Sequence, residues 1–245
     1  MIPAMLRPWH LGNDIVDLTD PRHSGKSGDV RFLRRVYSPR EQDEIRSSEN
    51  PDLALWIRWA AKEAAFKTVS KSLGAPPTFI HPTFQVSVFH PEAPNDQAGE
   101  NVDPPMTRFG EIHYESLVLP LRVEVHGSAL HAVTWASKGP DEVPPFSWGS
   151  SLLEEMGSSW RSAVRHHFSS REWNCVSHQA SAQARLAARK SLAMVLGVEE
   201  KDLEIGCGSG APGRRIPRVF LKGRELPADL TLSHHGRLLA WAFLP

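Results

Sequence analysis

The feature that most limits what this 245-residue chain can fold into is a pattern it uses twice. Arg58-Trp59-Ala60-Ala61-Lys62-Glu63 is echoed by Arg185-Leu186-Ala187-Ala188-Arg189-Lys190, and each copy opens a helical stretch that closes at a glycine, Gly74 or Gly197. Downstream, Leu119-Pro120 leads to Trp135-Ala136 as Leu226-Pro227 leads to Trp241-Ala242. A helix followed by strands, repeated, implies an α+β protein made as a pseudo-twofold pair of similar halves, each a long helix packed on a mainly antiparallel sheet. The expected division is 1–139 for the first half, 140–150 for a proline-rich and polar linker, and 151–245 for the second half. Ser151 to Arg171 reads as a helix leading into that second half.

Within the first copy, Trp56, Trp59, Ala60, Glu63, Phe66, Lys67, Ser70 and Leu73 recur at steps of three and four, the spacing of one helix face, before Gly74 and Pro76 stop the helix. Strand-like runs follow at Phe84 to Phe89, Leu117 to Val125 and Leu130 to Ala136. The stretch His90 to Pro105, rich in Pro, Asp, Glu and Asn, reads as a mobile loop without chemistry.

Hydrophobic residues make up 40% of the chain, enough for packed cores at this length. Neither a signal-length apolar run at the N-terminus nor a segment of about 20 apolar residues is present, so a membrane role is not expected. Only two cysteines occur, Cys175 and Cys207. A soluble, reducing, cytoplasmic setting is the expectation. The formal net charge is zero, which argues against nucleic acid as the main partner. Residues 1–150 carry 15 Lys and Arg against 19 Asp and Glu, and residues 151–245 carry 13 against 9. An acidic metal-holding half beside a basic phosphate-holding half suits a nucleotide-like ligand at their junction; a chance split of surface charge is the other reading.

Two segments place carboxylates inside apolar patterns: Leu11-Gly12-Asn13-Asp14-Ile15-Val16-Asp17 and Trp59-Ala60-Ala61-Lys62-Glu63-Ala64-Ala65-Phe66-Lys67. A carboxylate drawn out of water costs several kcal/mol unless a cation or hydrogen-bond donors answer it. A divalent metal holding a pyrophosphate would answer both. Taken alone, Asp14 could be a capping or turn aspartate, and Glu63 with Lys67 an exposed ion pair worth about 0.3–0.5 kcal/mol.

The two motifs together resemble the paired signature of the 4'-phosphopantetheinyl transferases. Arg31-Phe32-Leu33-Arg34-Arg35-Val36-Tyr37-Ser38-Pro39-Arg40-Glu41 is similar to the segment that joins them in the holo-acyl carrier protein synthase branch. The resemblance implies transfer of 4'-phosphopantetheine from coenzyme A to a serine of an apo acyl, polyketide or peptidyl carrier protein, with release of 3',5'-ADP. It implies Asp14 and Glu63 as ligands of Mg²⁺, with Mn²⁺ as a substitute, and water completing the shell. Another family branch has a further ligand where this chain has Val16; Asp17 is a candidate for an outer-shell role. Glu63 would also help deprotonate the carrier serine, and Lys67 would stabilise the charge leaving on 3',5'-ADP. Lys62 is expected to meet a phosphate or solvent.

The phosphate side is read from the second half. Leu230-Thr231-Leu232-Ser233-His234-His235-Gly236 resembles the Ser-His turn of the longer transferases, which places Ser233 and His234 on the coenzyme A phosphates; a β-turn with solvated histidines is the alternative. In Gly206 to Pro217, Arg214 or Arg215 would replace the lysine of the family's Gly-Lys-Pro loop, and Arg189 matches a basic residue that reaches the nucleotide. Arg31, Arg34 and Arg35 could meet an acidic carrier-protein helix. In two-repeat family members the Ser-His half comes first, so this chain reads as a permuted monomer. The rivals are a non-catalytic member that binds coenzyme A or a carrier protein, and a metal-dependent phosphohydrolase acting on coenzyme A.

Overall fold

The computed structural model describes residues 9–88, 106–136, 143–208 and 216–245. The chain divides into two compact units, one of residues 12–136 and one of residues 137–245 with those up to 11.

The N-terminal unit is built on β1 (His10–Asp17), α1 (Val30–Val36), α2 (Pro39–Arg46), α3 (Pro51–Ser72), β2 (Gln85–Val88), β3 (Met106–Tyr114), β4 (Leu117–His126) and β5 (Ala129–Ala136). Its five-stranded sheet has the order β1-β5-β4-β3-β2. The β2–β3, β3–β4 and β4–β5 pairings are antiparallel.

Helix α3 starts where the Asn50 side chain accepts from Leu53 N at 3.1 Å, with Pro51 just inside. It ends at Leu73, before Gly74 turns left-handed at φ 69°. The periodicity predicts one apolar face, but the helix is buried on nearly every side. Ala60, Ala61, Ala64 and Ala65 are fully buried in the core, together with Leu55, Ile57 and Phe66. Their small side chains let α3 lie between the sheet and the α1–α2 segment, which adds Phe32, Leu33, Val36, Tyr37 and Ile45. The helix meets β5 through Thr68 Oγ1 and Thr134 Oγ1, 2.6 Å apart. The predicted strands at 84–89, 117–125 and 130–136 correspond to β2, β4 and β5 where the structure describes them; Phe89 and the expected loop from His90 to Pro105 lie outside the described residues. Strand β3 is an addition, because Arg108, Glu111 and His113 interrupt its apolar pattern.

The C-terminal unit contains β6 (Ser147–Leu152), α4 (Trp160–Val164), α5 (Ser170–Trp173), α6 (Gln179–Leu196), β7 (Leu203–Cys207), β8 (Pro217–Leu221), β9 (Arg224–Glu225), β10 (Asp229–His235) and β11 (Leu238–Leu244). Two three-stranded sheets form, β10-β11-β6 and β7-β8-β9, with antiparallel pairing throughout. Helix α6 begins at His178, whose side chain accepts from Ser181 N, and ends at Gly197 in the left-handed region. It buries Ala188 and Leu192 with Leu203, Ile205, Val219, Leu230, Trp241 and Phe243.

Each unit therefore has the helix-on-antiparallel-sheet build expected of an α+β chain. The junction differs from the sequence reading. Residues 147–152 form β6 against β11 instead of linker and helix, because Gly149 leaves room for the Trp241 ring that faces it across the register. The expected helix from Ser151 to Arg171 shrinks to α4, the start of α5 and short turns. Cys175 and Cys207 are neighbours in space, with Cα atoms 6.0 Å apart. Among the described residues, no helix is long and apolar enough to cross a membrane.

Candidate active site

Strand β1 and helix α3 touch at a glycine. A Cβ on Gly12 would stand 2.0 Å from the Ala64 carbonyl oxygen and 2.5 Å from Thr68 Oγ1, so only the residue without a side chain fits. Strand residues two apart share a face, so Asp14 follows Gly12 toward the helix. There the Lys67 ammonium donates to the Asn13 carbonyl at 2.6 Å and to Asp14 Oδ1 at 3.2 Å. Glu63 lies four residues before Lys67, its neighbour along the helix surface. Asp14 and Lys67, from different elements, thus meet, and all three motif residues belong to one unit.

The surroundings hold this arrangement from below. Asn13 is fully buried, and its Nδ2 lies 3.0 Å from His131 Nε2 on β5. Burial, and secondarily the Lys67 charge, push the His131 imidazole down to about 3, so it is neutral at physiological pH. It accepts from the Asn13 amide and keeps β1 in place beside Lys67. Above, Glu63 Oε1 lies 3.6 Å from His81 Nε2.

The donor set fits a hard divalent cation. Side-chain exposure is 15% for Asp14 and 27% for Glu63, so both carboxylates have lost much of their hydration yet remain open to a ligand. Magnesium takes one or two carboxylates and keeps waters or phosphate oxygens in its other positions. Val16 is 1% exposed in the core and offers no oxygen. Asp17 is buried too, with Oδ1 accepting from Thr19 N at 3.0 Å and Thr19 Oγ1 at 2.6 Å, a turn after the strand that gives it structural work.

Two cationic side chains depart from expectation. Lys62, expected against phosphate or solvent, is fully buried. Its ammonium pairs with Glu41 Oε1 at 2.8 Å and donates to the carbonyls of His81, at 3.1 Å, and Phe84. Residue 62 lies on the α2 side of the helix, so it cannot share the face of Glu63. Arg189, expected to reach a nucleotide, is also buried. Its Nη1 meets Glu172 at 3.2 Å and the His167 carbonyl at 2.9 Å, and its Nε meets Glu200 at 3.3 Å. Glu172 in turn accepts from Ile205 N, so the cluster fastens α6 to β7.

Ser233 and His234 lie at the end of β10 and not in the turn itself, which falls at Gly236 and Arg237. Strand alternation buries Ser233 and exposes His234, whose ring meets that of His178 edge-on at 4.6 Å. Arg214 and Arg215 fall outside the described residues. Arg31, Arg34 and Arg35 are exposed on α1. The groups that sequence reasoning missed are Asn13, His131, His81 and Glu41; only the glycine within the β1 pattern signals the close contact that organises them.

Residues 10–116, which include Asp14, Glu63 and Lys67, match the family described as the 4'-phosphopantetheinyl transferase superfamily. The chain is 34% identical over 65 residues to a holo-[acyl-carrier-protein] synthase of Chlamydia caviae, covering 26% of this chain and 53% of that protein. It is 36% identical over 73 residues to a holo-[acyl-carrier-protein] synthase of Idiomarina loihiensis, covering 30% and 57%. A third, from Chlamydia muridarum, is 31% identical over 64 residues, covering 26% and 51%. The chain thus spans about half the length of the curated relatives it matches. No solved structure is a significant match. With the paired motifs on β1 and α3 inside the matched span, residues 10–116 of this chain are similar to the 4'-phosphopantetheinyl transferase superfamily.

Proposed function

We propose that this chain transfers the 4'-phosphopantetheine group of coenzyme A to a serine of an apo carrier protein, with Mg²⁺, releasing 3',5'-ADP. The observation that carries the reading is the meeting of Asp14 and Lys67, with Glu63 one turn away, within the segment that matches the family. When bound, Mg²⁺ neutralises pyrophosphate charge.

Asp14 and Glu63 hold the cation, and Glu63 takes the proton of the carrier serine, directly or through water. The serine oxygen bonds to the β-phosphorus as the bond from that phosphorus to the bridging oxygen breaks, and the electron pair leaves on 3',5'-ADP. Lys67, oriented by the Asn13 carbonyl and Asp14, stabilises the negative charge on that leaving group. The ammonium needs no reorganisation at the moment of transfer, because the protein already holds it.

Ser233, His234, Arg214 and Arg215 belong to the proposal as phosphate contacts, and the α1 arginines as the carrier-docking surface. A cytoplasmic monomer, built as two repeats related by a pseudo-twofold axis, completes the reading. The repeated helix-and-strand motif and the common build of the two units support it.

The test is to incubate the protein with apo carrier, coenzyme A and Mg²⁺ and weigh the carrier. A gain of one phosphopantetheine per carrier, abolished in Glu63→Gln, is expected. No gain across fatty-acid, polyketide and peptide carriers overturns the proposal in favour of a binding protein, and 3',5'-ADP release without any carrier points to a hydrolase.

A further inference from the structure

We propose that His81 is a positioning residue for Glu63, steering its carboxylate toward the bound cation; the inference rests on the functional reading above. His81 opens a short turn, His81–Thr83, between α3 and β2. Its ring is laid against Trp59 at 5.0 Å and a 27° interplanar angle, and against Phe79 at 4.2 Å. Trp59 lies one turn before Glu63 on α3, so the imidazole rests along the face that carries the carboxylate. Its Nε2 is shielded from solvent and has no hydrogen-bond partner among the described residues. Glu63 Oε1 stands 3.6 Å from it, just beyond hydrogen-bond distance.

The turn that carries His81 is fixed from behind. Its carbonyl accepts from Lys62 Nζ at 3.1 Å, and that ammonium is tied to Glu41 at 2.8 Å. Glu41 also accepts from Val86 N at 2.9 Å and caps α2 through Ser38 N. The adjacent residues Lys62 and Glu63 therefore divide the work: Lys62 holds the turn, the turn holds the ring, and the ring holds Glu63.

A glutamate free to rotate must be ordered when it binds a cation, whereas one already oriented has less rotamer freedom to lose. Hydrogen-bonded partners of metal ligands act in this way, and their loss typically weakens metal binding about 10- to 100-fold. With its proton on Nε2, His81 donates to Oε1 after a small rotation of Glu63 and leaves Oε2 for the cation. Hydrogen bonds of this kind are often long in the free protein and tighten in the complex.

Mn²⁺ titration followed by electron paramagnetic resonance tests the assignment on the wild-type chain, His81→Phe and His81→Gln, with melting curves for each. His81→Phe keeps the stacking, so it should melt as wild type does but bind Mn²⁺ about 10- to 100-fold more weakly. His81→Gln restores an N–H and should recover most of the affinity. Spin-echo spectra of the wild type should show no ¹⁴N coupling to Mn²⁺. Wild-type affinity in His81→Phe, or ¹⁴N coupling that makes His81 a direct ligand, overturns the proposal. If the wild type modifies a carrier while either result holds, only the role of His81 falls. If it binds no Mn²⁺ and modifies no carrier, the functional reading falls and the role of His81 with it.

Discussion

Replacing Gly12 by alanine should damage both stability and catalysis through one contact. The new Cβ would lie 2.0 Å from the Ala64 carbonyl oxygen, against a practical minimum of 3.0 Å, so strand and helix must separate by about 1 Å. Shortening Thr68 would relieve only the 2.5 Å clash at its hydroxyl, because the closer atom is backbone of the central helix. Overpacking of this kind costs about 1–3 kcal/mol, and a rigid helix backbone places the variant at the upper end. The shift carries Asp14 away from Lys67, and a displacement of about 1 Å at a reacting centre can lower a rate about 100-fold. Denaturant titration and initial rates of carrier modification would measure the two effects. Gly28→Ala, where the added methyl meets nothing within 4 Å, is the control and should be neutral in both. A Gly12→Ala protein with wild-type midpoint and rate would refute the claim that this contact sets the site.

Four other outcomes follow from the structure. His131 titrates near 3 in the folded chain and near 6.5 when unfolded, so the unfolded state binds more protons between those values. Its share of stability is fully present above about pH 6.5 and is lost as pH falls toward 3, amounting to about 2 kcal/mol between pH 7 and 5; His131→Gln should flatten that part of the pH profile of the denaturation midpoint. Lys62→Met strands Glu41 as a buried charge and should destabilise the fold by about 3–5 kcal/mol; unchanged stability with a raised KM for coenzyme A would instead return Lys62 to the phosphates. Lys67→Met breaks a partly exposed pair, so stability should change by less than about 1 kcal/mol while kcat falls about 100-fold or more. Asp14→Asn should weaken Mn²⁺ binding measured by the same titration as Glu63→Gln does, since both carboxylates are assigned to one ion.

Much of this architecture was legible from residue order because its signals are local. The three-and-four spacing of Trp56 to Leu73 and the stop at Gly74 mark α3, and Gly197 marks the end of α6. The meeting of Asp14 with Lys67 was foreshadowed because a carboxylate amid apolar neighbours needs a partner. What stayed hidden depends on which side of a helix faces what. Lys62 and Arg189 look like free cations in one dimension, yet Glu41 and Glu172, 21 and 17 residues earlier, bury them as structural ties. Strand β6 was hidden because its weakly apolar Ser147 to Leu152 pairs with β11, nearly ninety residues later in the chain. His81 and His131 gave no periodic signal; their meaning comes from the Glu63 and Asn13 side chains they approach.

In the proposed site Asp14 and Glu63 grip one cation beside Lys67. Crystals soaked with Mn²⁺ and coenzyme A would test it most directly through the anomalous signal of manganese. A single strong peak ligated by both carboxylates is expected, with pyrophosphate oxygens in the same shell and Lys67 alongside. A peak bound elsewhere, or no peak at these carboxylates with coenzyme A in place, would contradict it.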